Sequence, residues 1–216
     1  MYKSSSGALI HKRFFDISII VFCHILFFPV VILFWSFVPL LIWIVDRGPV
    51  FYYQTRVGKD GKPFKMIKLR TMKFESQIFS GLPKSLLESS VVTLPDDVRI
   101  TSIGKILRIF RLDEVPQIIN ILRGEMSFVG PRPLPKETLD FYISKGWQNS
   151  VEVRLKVLPG IAGLAQLQGT FKKGESVTDT INKFRYDAVY VQNYNVCYDI
   201  NLLAKCVLLV FRLAFR

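Results

Sequence analysis

Residues 105–133 read KILRIFRLDEVPQIINILRGEMSFVGPRP, and the rest of the chain is organised around this stretch. Two adjacent carboxylates, Asp113 and Glu114, precede Pro116 and an apolar run. An aspartate before a proline in the first turn is typical of a helix N-terminus, because the N–H that proline lacks would be unpaired there anyway. The sequence therefore predicts a helix that begins at Glu114 and stops at Gly124, with Asp113 as its N-cap.

The carboxylate pair has two interpretations. Asp113 is expected to be ionised, because the helix dipole and the nearby charges of Arg108 and Arg111 favour the anion. An ionised carboxylate on a rigid helix start is what a nucleophile or a metal ligand requires. The alternative is that Asp113 followed by Glu114 only caps the helix, which is a common way for a helix to begin. The residues alone leave both interpretations open.

Two flanking segments present basic side chains in defined ways. Prolines on both sides of Arg132 fix the backbone of the turn Gly130–Pro133, and a stiffly presented guanidinium suits phosphate or carboxylate binding. Upstream, the segment FKMIKLR from Phe64 to Arg70 alternates apolar and basic residues, which predicts a half-buried strand. The basic side of this strand faces either a phosphate or only solvent, and the pattern is compatible with both.

The charge balance and the small number of histidines limit the partners and the catalytic residues that this chain can use. The 216 residues include 29 Lys and Arg against 17 Asp and Glu, which predicts anionic partners: nucleic acid, phosphorylated ligands or acidic lipid headgroups. The two histidines, His11 and His24, argue against a histidine-based triad or zinc site. The three scattered cysteines show neither metal spacing nor a disulfide framework. Acid–base or nucleophilic work is therefore left to carboxylates, hydroxyls or a thiol.

A long apolar segment precedes all of these features. Residues 17–45 are almost continuously apolar and exceed the roughly 20 residues needed to cross a bilayer, so we expect this segment to lie in a membrane. Pro29 falls near its middle, where proline removes a backbone hydrogen bond and kinks a helix. Basic residues flank both ends, as expected if both ends are cytoplasmic. A helix that bends near Pro29 and returns, and a spanning helix with a tolerated proline, both fit.

The chain is predicted to have three parts. Residues 1–11 are expected to form a flexible N-terminus, residues 12–46 a membrane helix, and residues 47–216 a membrane-associated domain that ends in an amphipathic helix. The domain is predicted to be α/β in character, small and helix-rich with short strands, and without a Rossmann pattern. Hydrophobic periodicity places further helices over residues 101–110, 135–148, 180–192 and 199–216.

Four segments together resemble one family. They are KRFFDISI from Lys12, GPVFYYQTRVGKDGKPFKMIKLRTM from Gly48, RLDEVPQIINILRGEMSFVGPRP from Arg111 and LPGIAGLAQLQG from Leu158. They resemble the bacterial sugar transferases, the small monotopic phosphoglycosyl transferases that begin membrane glycoconjugate synthesis. The resemblance covers residues 12–212, and its central motif is long and ordered.

The resemblance implies a reaction and roles for individual residues. Such enzymes move a phosphosugar from a UDP-sugar to a polyprenyl phosphate such as undecaprenyl phosphate, and UMP is released. Carried over to this chain, Asp113 is the nucleophile that holds the phosphosugar covalently, and Glu114 helps to bind Mg²⁺. Arg70 and Arg108 match basic residues near the phosphates, and Arg132 lies in the family's Pro-Arg-Pro loop.

The resemblance also implies where the protein works. Family members carry a re-entrant membrane helix that breaks at a proline, which corresponds to Pro29 here. The catalytic domain would lie on the cytoplasmic face of the bacterial inner membrane, in contact with its lipid. A homodimer and downstream glycosyltransferases are further partners compatible with such an enzyme, and no nucleic acid is expected.

The chain departs from the family pattern at four positions. Phe28 replaces the serine that usually precedes the helix-breaking proline, and Leu158 replaces a common basic residue. Ala162 replaces a threonine, and Thr170 replaces an arginine. These changes motivate an alternative function, a catalytically impaired membrane scaffold or lipid-binding protein with the same fold. A membrane-tethered nucleic-acid binder is a third reading, but the chain shows no recognised nucleic-acid-binding motif.

Overall fold

Helices dominate the part of the chain that the computed structural model describes, which is residues 6–73, 99–169 and 177–214. The predicted helix-rich domain with short strands is confirmed for these residues. In chain order the elements are α1 (Ser6–Leu26), α2 (Phe28–Asp46), β1 (Phe51–Val57), a 3-10 turn (Lys59–Gly61), β2 (Pro63–Leu69), α3 (Ser102–Ile109), a 3-10 helix (Leu112–Gln117), α4 (Ile118–Arg123), β3 (Ser127–Val129), α5 (Lys136–Ser144), α6 (Gln148–Arg154), β4 (Gly160–Ala162), α7 (Leu164–Leu167), α8 (Val177–Asn193) and α9 (Val196–Ala214).

The strands form two separate pairs. β1 and β2 are antiparallel, with Phe51 opposite Leu69 and Val57 opposite Pro63, so the strand predicted from the FKMIKLR pattern is confirmed. β3 and β4 are parallel and short. Their backbones approach so closely that a Cβ built on Gly160 would lie 2.1 Å from the amide nitrogen of Gly130, which explains the glycines there.

The apolar segment forms two helices instead of one. α1 and α2 are separated by Phe27, and Pro29 lies in the first turn of α2, where its missing N–H is tolerated. The break predicted near Pro29 is therefore present. It is confined to about one residue, because the amide of Phe27 still donates to the carbonyl of Cys23 at 2.9 Å and the amide of Val31 donates to Phe27 at 2.9 Å.

The first half of α1 is packed into the domain. The Lys12 ammonium forms a buried ion pair with Asp199 and donates a hydrogen bond to the Tyr190 hydroxyl at 3.1 Å. One turn later Asp16 accepts a 3.0 Å hydrogen bond from the Ser127 hydroxyl beside β3. α1 begins at Ser6, inside the segment 1–11 that was predicted as a flexible N-terminus; residues 1–5 lie outside the described part.

The far half of α2 packs against the same domain. Ile42 is completely buried and shares a cluster with Leu69 of β2 and Leu107 of α3. Within the described residues, α2 is the one helix long and apolar enough to cross a membrane. Both helices thus contact the domain at the ends remote from their junction. Around the junction the large apolar side chains are exposed: Val21, Phe22, Ile25, Leu26, Phe27, Phe28, Val30, Ile32 and Leu33.

A buried asparagine joins the central helices to the first sheet. Asn120 of α4 is fully buried and accepts a 3.0 Å hydrogen bond from the amide of Ile67. Its amide group donates to the carbonyl of Lys65 at 2.8 Å. These bonds to the backbone of β2 hold α4 and the preceding 3-10 helix across that strand, and this arrangement positions the carboxylate pair.

The other predicted helices are largely confirmed. The prediction over 101–110 corresponds to α3, whose N-cap Thr101 accepts a 2.9 Å hydrogen bond from the amide of Gly104. The prediction over 135–148 covers α5 and reaches only the start of α6, and the predictions over 180–192 and 199–216 correspond to α8 and α9.

Candidate active site

The carboxylate pair lies in a 3-10 helix, and the prediction that Asp113 caps an α-helix is wrong. Arg111, which precedes Leu112–Gln117, has φ 57° and ψ 21°, a left-handed conformation without a side-chain cap. Asp113 is inside the first turn, and the α-helix begins only at Ile118. A left-handed residue followed by a short 3-10 turn redirects the chain, so both carboxylates are buried against neighbouring elements. The predicted end at Gly124 is confirmed by its positive φ of 81°.

Glu114 is surrounded by cations. Its Oε1 accepts hydrogen bonds from Lys68 Nζ at 2.7 Å and from Arg132 Nη2 at 2.9 Å, and Nη1 of Arg111 lies 3.9 Å away. Burial by itself would raise the pKa of Glu114, but the charges of Arg132, Lys68 and Arg111 outweigh it and hold the pKa well below its usual range. Glu114 is therefore a permanent anion at neutral pH.

Asp113 behaves differently although it is adjacent. Burial raises the pKa of Asp113, and the negative charge of Glu114 raises it further. Lys68, whose Nζ lies 3.9 Å from Oδ2 of Asp113, and Arg108 and Arg111 lower it only in part. The charges of Arg108 and Arg111 favour the ionised form, as expected, but burial outweighs them and the net shift of the pKa of Asp113 is upward. Two adjacent carboxyl groups with pKa values pushed in opposite directions are characteristic of sites that divide roles between them.

Lys68 is the residue that connects the two carboxylates, and the sequence analysis did not single it out. It lies on β2, the strand that packs against the 3-10 helix. Burial lowers the pKa of Lys68, and the charge of Glu114 acts in the opposite direction. The available signal was the alternation of FKMIKLR, which places basic side chains on the strand without identifying the one that meets the acids.

Arg132 reaches the site from a loop that is held in place, as the prolines around it predicted. Arg154 Nη2 donates to the carbonyl of Arg132 at 2.6 Å and lies 3.3 Å from Asp187 Oδ2. The amide of Gly130 donates to Ala162 at 2.8 Å on the other side of the loop. Glu114 raises the pKa of Arg132, which therefore stays charged. The guanidinium is thus presented to Glu114 on a fixed backbone.

The two other predicted arginines occupy different places. Arg108 donates from Nε to the Thr71 hydroxyl at 2.8 Å and contributes to the potential at Asp113. Arg70 is buried next to Gly48, and its guanidinium makes no hydrogen bond with the described residues. The structure therefore brings Arg132 and Arg108 to the carboxylates and leaves Arg70 at the edge of the site.

A further arginine that the sequence analysis missed lies beside the loop. Arg56 of β1 donates to Oε1 of Gln54 at 3.1 Å and 2.6 Å and to the carbonyl of Pro133 at 3.2 Å. Burial and the positive charge of Arg132 lower the pKa of Arg56 to about 10. Two guanidinium groups with unfavourable mutual repulsion are stabilised by an anion between them.

Two of the departures from the family pattern, Leu158 and Ala162, lie beside Gly130 in the loop that carries Arg132. Leu158 is buried, and its carbonyl lies against Gly130. Ala162 is buried in β4 and contributes its carbonyl to the loop. Thr170 lies outside the described residues.

The carboxylate pair can bind a metal ion only if water or a substrate supplies further ligands. Among the described residues no group of three or more His, Cys, Asp or Glu is arranged to bind a metal. Mg²⁺, however, is usually held by one or two carboxylates together with water and substrate phosphates. Asp113 and Glu114 supply the two carboxylates of this second arrangement. Because Oε1 of Glu114 is already paired with Lys68 and Arg132, a phosphate would have to supply further oxygens.

Comparison with known proteins identifies the family. The family model described as "Bacterial sugar transferase" matches residues 7–213. The chain belongs to the bacterial sugar transferase family. Exopolysaccharide production protein ExoY of Sinorhizobium fredii is 34% identical over 204 residues, which are 92% of this chain and 84% of that protein.

Two further relatives have names that state a reaction. A UDP-glucose:undecaprenyl-phosphate glucose-1-phosphate transferase of Caulobacter vibrioides is 32% identical over 198 residues, which are 92% of this chain and 68% of that protein. An undecaprenyl-phosphate galactose phosphotransferase of Salmonella typhimurium is 34% identical over 219 residues, which are 97% of this chain and 42% of that protein. This bacterial sugar transferase is therefore similar to enzymes that act on undecaprenyl phosphate with different sugars.

Proposed function

We propose that this bacterial sugar transferase moves a phosphosugar from a UDP-sugar to a polyprenyl phosphate such as undecaprenyl phosphate and releases UMP. The observation that carries the proposal is the buried pair Asp113 and Glu114, with Lys68 between the two carboxylates and Arg132 on Glu114. Catalysis of phosphoryl transfer depends mainly on positioning and on neutralising charge, and this cluster supplies both. The names of the Caulobacter and Salmonella relatives support the same reaction.

Asp113 is the proposed nucleophile. One of its carboxylate oxygens attacks the sugar-proximal phosphorus of the donor, the bond from that phosphorus to the UMP oxygen breaks, and UMP leaves with the electron pair. A polyprenyl phosphate oxygen then attacks the same phosphorus, and Asp113 regains its carboxylate. The raised pKa of Asp113 makes its carboxylate a stronger nucleophile than a solvated one, and the charges of Lys68 and Arg108 favour the ionised form that attacks.

The other residues position and neutralise the donor. Lys68 and Arg132 contact the carboxylate pair and Arg56 lies beside the loop of Arg132, so these three cations would neutralise a diphosphate that reaches Asp113. Glu114 fixes Lys68 and Arg132 in place through its hydrogen bonds. Asp113 and Glu114 would hold Mg²⁺ with the donor phosphates, and the ion when bound would neutralise diphosphate charge.

We also propose that α1 and α2 enter the membrane and leave it on the same, cytoplasmic, side of the bacterial inner membrane. Lys12 ties α1 to α9, and Ile42 ties α2 to the domain, so both outer ends are held by one domain. Exposed apolar side chains surround the junction at Phe27 and continue along α2 to Val45, and this surface would lie in lipid. This arrangement brings a water-soluble donor and a lipid acceptor to one carboxylate.

Release of UMP tests the function. The purified protein in detergent or nanodiscs is incubated with a panel of UDP-sugars, undecaprenyl phosphate and Mg²⁺. We expect one or more UDP-sugars to yield UMP, and we expect Asp113→Asn to abolish the release while the protein stays folded and membrane-bound. Full activity of Asp113→Asn would overturn the assignment of the nucleophile.

A catalytically impaired scaffold is the second candidate. The replacements at Leu158, Ala162 and Thr170 favour it, and the first two lie beside Gly130 in the loop that carries Arg132. Release of UMP from any donor in the panel eliminates this candidate. Failure of all the donors to yield UMP supports it.

A further inference from the structure

Arg70 differs from the other basic residues predicted for the site. It is 5% exposed, and Nε, Nη1 and Nη2 are all buried without a hydrogen-bond partner among the residues that the structure describes. Lys68 and Arg132, in contrast, both donate to Glu114. A buried charge without partners costs several kcal/mol of folding free energy. A bound anion would supply the partner that this buried guanidinium lacks.

The guanidinium of Arg70 lies in a cradle that requires glycine. A Cβ built on Gly48 would lie 2.4 Å from Nη1 of Arg70, and Gly48 has a φ of +147° that side chains rarely adopt. The amide of Arg70 donates to the carbonyl of Val50 at 2.8 Å, so its backbone is fixed to the same loop. Gly48 follows the last residue of α2, Asp46, by two positions. Arg70 is therefore placed where the apolar helix joins the domain.

The same residue is close to the carboxylates along the chain. Lys68, two residues before Arg70, contacts both acids, and residues two apart on an extended strand project to the same side about 6.6 Å apart. The next residue, Thr71, accepts a hydrogen bond from Arg108, which acts on Asp113. Arg70 thus lies against Gly48 at the end of α2, while its chain neighbours Lys68 and Thr71 are linked to the carboxylate site.

We propose that Arg70 in the Gly48 cradle binds the phosphate of the lipid acceptor, separately from the donor site at Lys68 and Arg132. This inference rests on the function proposed above. The phosphate of a polyprenol approaches from the membrane, and α2, which is long and apolar enough to cross one, ends at Asp46, two residues before Gly48. An unpaired guanidinium can donate two parallel hydrogen bonds to one phosphate.

Arg70 takes no covalent part in the reaction. It holds the acceptor phosphate while one acceptor oxygen attacks the phosphorus carried by Asp113 and the bond between that phosphorus and Asp113 breaks. Asp46, two residues before Gly48, does not pair with Arg70, because the guanidinium makes no hydrogen bond with any of the described residues. The positive charge of Arg70 is therefore available to a ligand.

The two half-reactions separate the acceptor site from the donor site. Arg70→Gln, Arg70→Lys and the control Lys65→Gln, which removes an exposed lysine of the same strand, are compared with the wild type. We expect Arg70→Gln to release a first equivalent of UMP without acceptor as the wild type does. We expect its KM for undecaprenyl phosphate to rise by about tenfold to a hundredfold, since hydrogen bonds to a charged group are lost. Arg70→Lys should recover part of this loss, and Lys65→Gln should match the wild type.

Direct binding keeps the test independent of turnover. Binding of undecaprenyl phosphate in phosphatidylcholine nanodiscs should weaken by about tenfold or more in Arg70→Gln. Binding to nanodiscs that contain phosphatidylglycerol instead should be the same for wild type and variant, and inorganic phosphate should compete only weakly. Unfolding in urea should show that Arg70→Gln is as stable as the wild type or more stable, because an unpaired buried charge has been removed.

Several results would overturn the proposal. Unchanged acceptor affinity in Arg70→Gln excludes the site, and loss of the first UMP equivalent together with turnover assigns Arg70 to the donor. Equal weakening with phosphatidylglycerol indicates a general lipid contact. If the wild type releases no UMP from any donor, the proposed function fails, while the nanodisc measurement still decides whether Arg70 binds a polyprenyl phosphate.

Discussion

Lys68 donates a hydrogen bond of 2.7 Å to Oε1 of Glu114. The same ammonium lies 3.9 Å from Oδ2 of Asp113, so one cation from β2 serves two carboxylates of the 3-10 helix. The two acids nevertheless respond differently, since the pKa of Glu114 is lowered and the pKa of Asp113 is raised. Glu114 is therefore an anion that holds Lys68 and Arg132 through its hydrogen bonds. Asp113 is the carboxylate that we propose as the nucleophile.

Replacing Lys68 by methionine should reduce the rate of UMP release at pH 7 by about a hundredfold or more, the effect of losing a positioned charge in an active site. Lys68 lowers the pKa of Asp113, so its removal raises that pKa further. Because the nucleophile must be ionised, the acidic limb of the pH–rate profile should move to higher pH. Lys65→Met, which changes an exposed lysine on the same strand, is the control. An unshifted acidic limb would refute the role of Lys68 at Asp113.

The two carboxylates should have opposite effects on stability. The pKa of Glu114 is lowered on folding, so its ionised form stabilises the protein above its unfolded value of about 4.3, and this contribution is lost as pH falls through the folded pKa. Glu114→Gln leaves Lys68 and Arg132 without their acceptor and should lower the free energy of unfolding at pH 7 by about 3 kcal/mol.

For Asp113 the sign is reversed. Its raised pKa favours folding only below its unfolded value of about 3.9, and this contribution is lost as pH rises through the folded pKa. At pH 7 Asp113→Asn should therefore be as stable as the wild type or more stable, although inactive. Urea unfolding of both variants at pH 7 and pH 4 measures this contrast. A larger destabilisation by Asp113→Asn than by Glu114→Gln at pH 7 would contradict it.

Binding of Mg²⁺ should depend on the nucleotide. Oε1 of Glu114 already accepts from Lys68 and Arg132, so the free carboxylate pair is a poor site for a second cation. UDP should raise the affinity for the metal by about tenfold or more, because it supplies phosphate oxygens. Titration with Mn²⁺ followed by electron paramagnetic resonance measures both affinities, and Asp113→Asn should weaken the UDP-dependent binding. Equal affinity with and without UDP would show that the protein holds the metal unaided.

Both ends of the membrane segment should be accessible from one side. Gly7 before the segment and Lys62 after it are exposed, so each is replaced by cysteine after Cys23, Cys197 and Cys206 have been changed to serine. In sealed right-side-out vesicles an impermeant maleimide should label neither cysteine, and in inverted vesicles it should label both. The physical reason is that α1 and α2 are both anchored to one domain by Lys12 and Ile42. Labelling of Gly7→Cys from the side opposite to Lys62→Cys would establish a spanning helix.

Local patterns in the sequence predicted much of the secondary structure. The periodicity of residues 101–110 predicted α3, and the alternation in FKMIKLR predicted β2. Pro29 predicted the break between α1 and α2. Each of these features depends on residues that are near one another in the chain, such as a proline without an N–H or a run of alternating side chains.

The backbone conformation and the burial of the two carboxylates were not predictable from local sequence patterns. An aspartate followed by a proline is compatible with an α-helix cap, but Arg111 adopts a left-handed conformation and the chain forms a 3-10 helix. Asn120 of α4, the helix that follows, holds both helices against β2 through hydrogen bonds to residues more than 50 positions away. The resulting burial raises the pKa of Asp113, an effect that the neighbouring residues in the sequence do not reveal.

Sequence alone determined the adjacent acids at residues 113 and 114, the apolar segment with its break near Pro29, and the arginine between two prolines. These are properties of residue type and spacing, which act over a few residues. Tertiary structure decided that Lys68 meets both carboxylates and that Arg70 is buried beside Gly48 without a hydrogen-bond partner in the described part of the chain. Burial and pairing between distant segments determine those outcomes, because electrostatic energies depend on which groups are removed from water together.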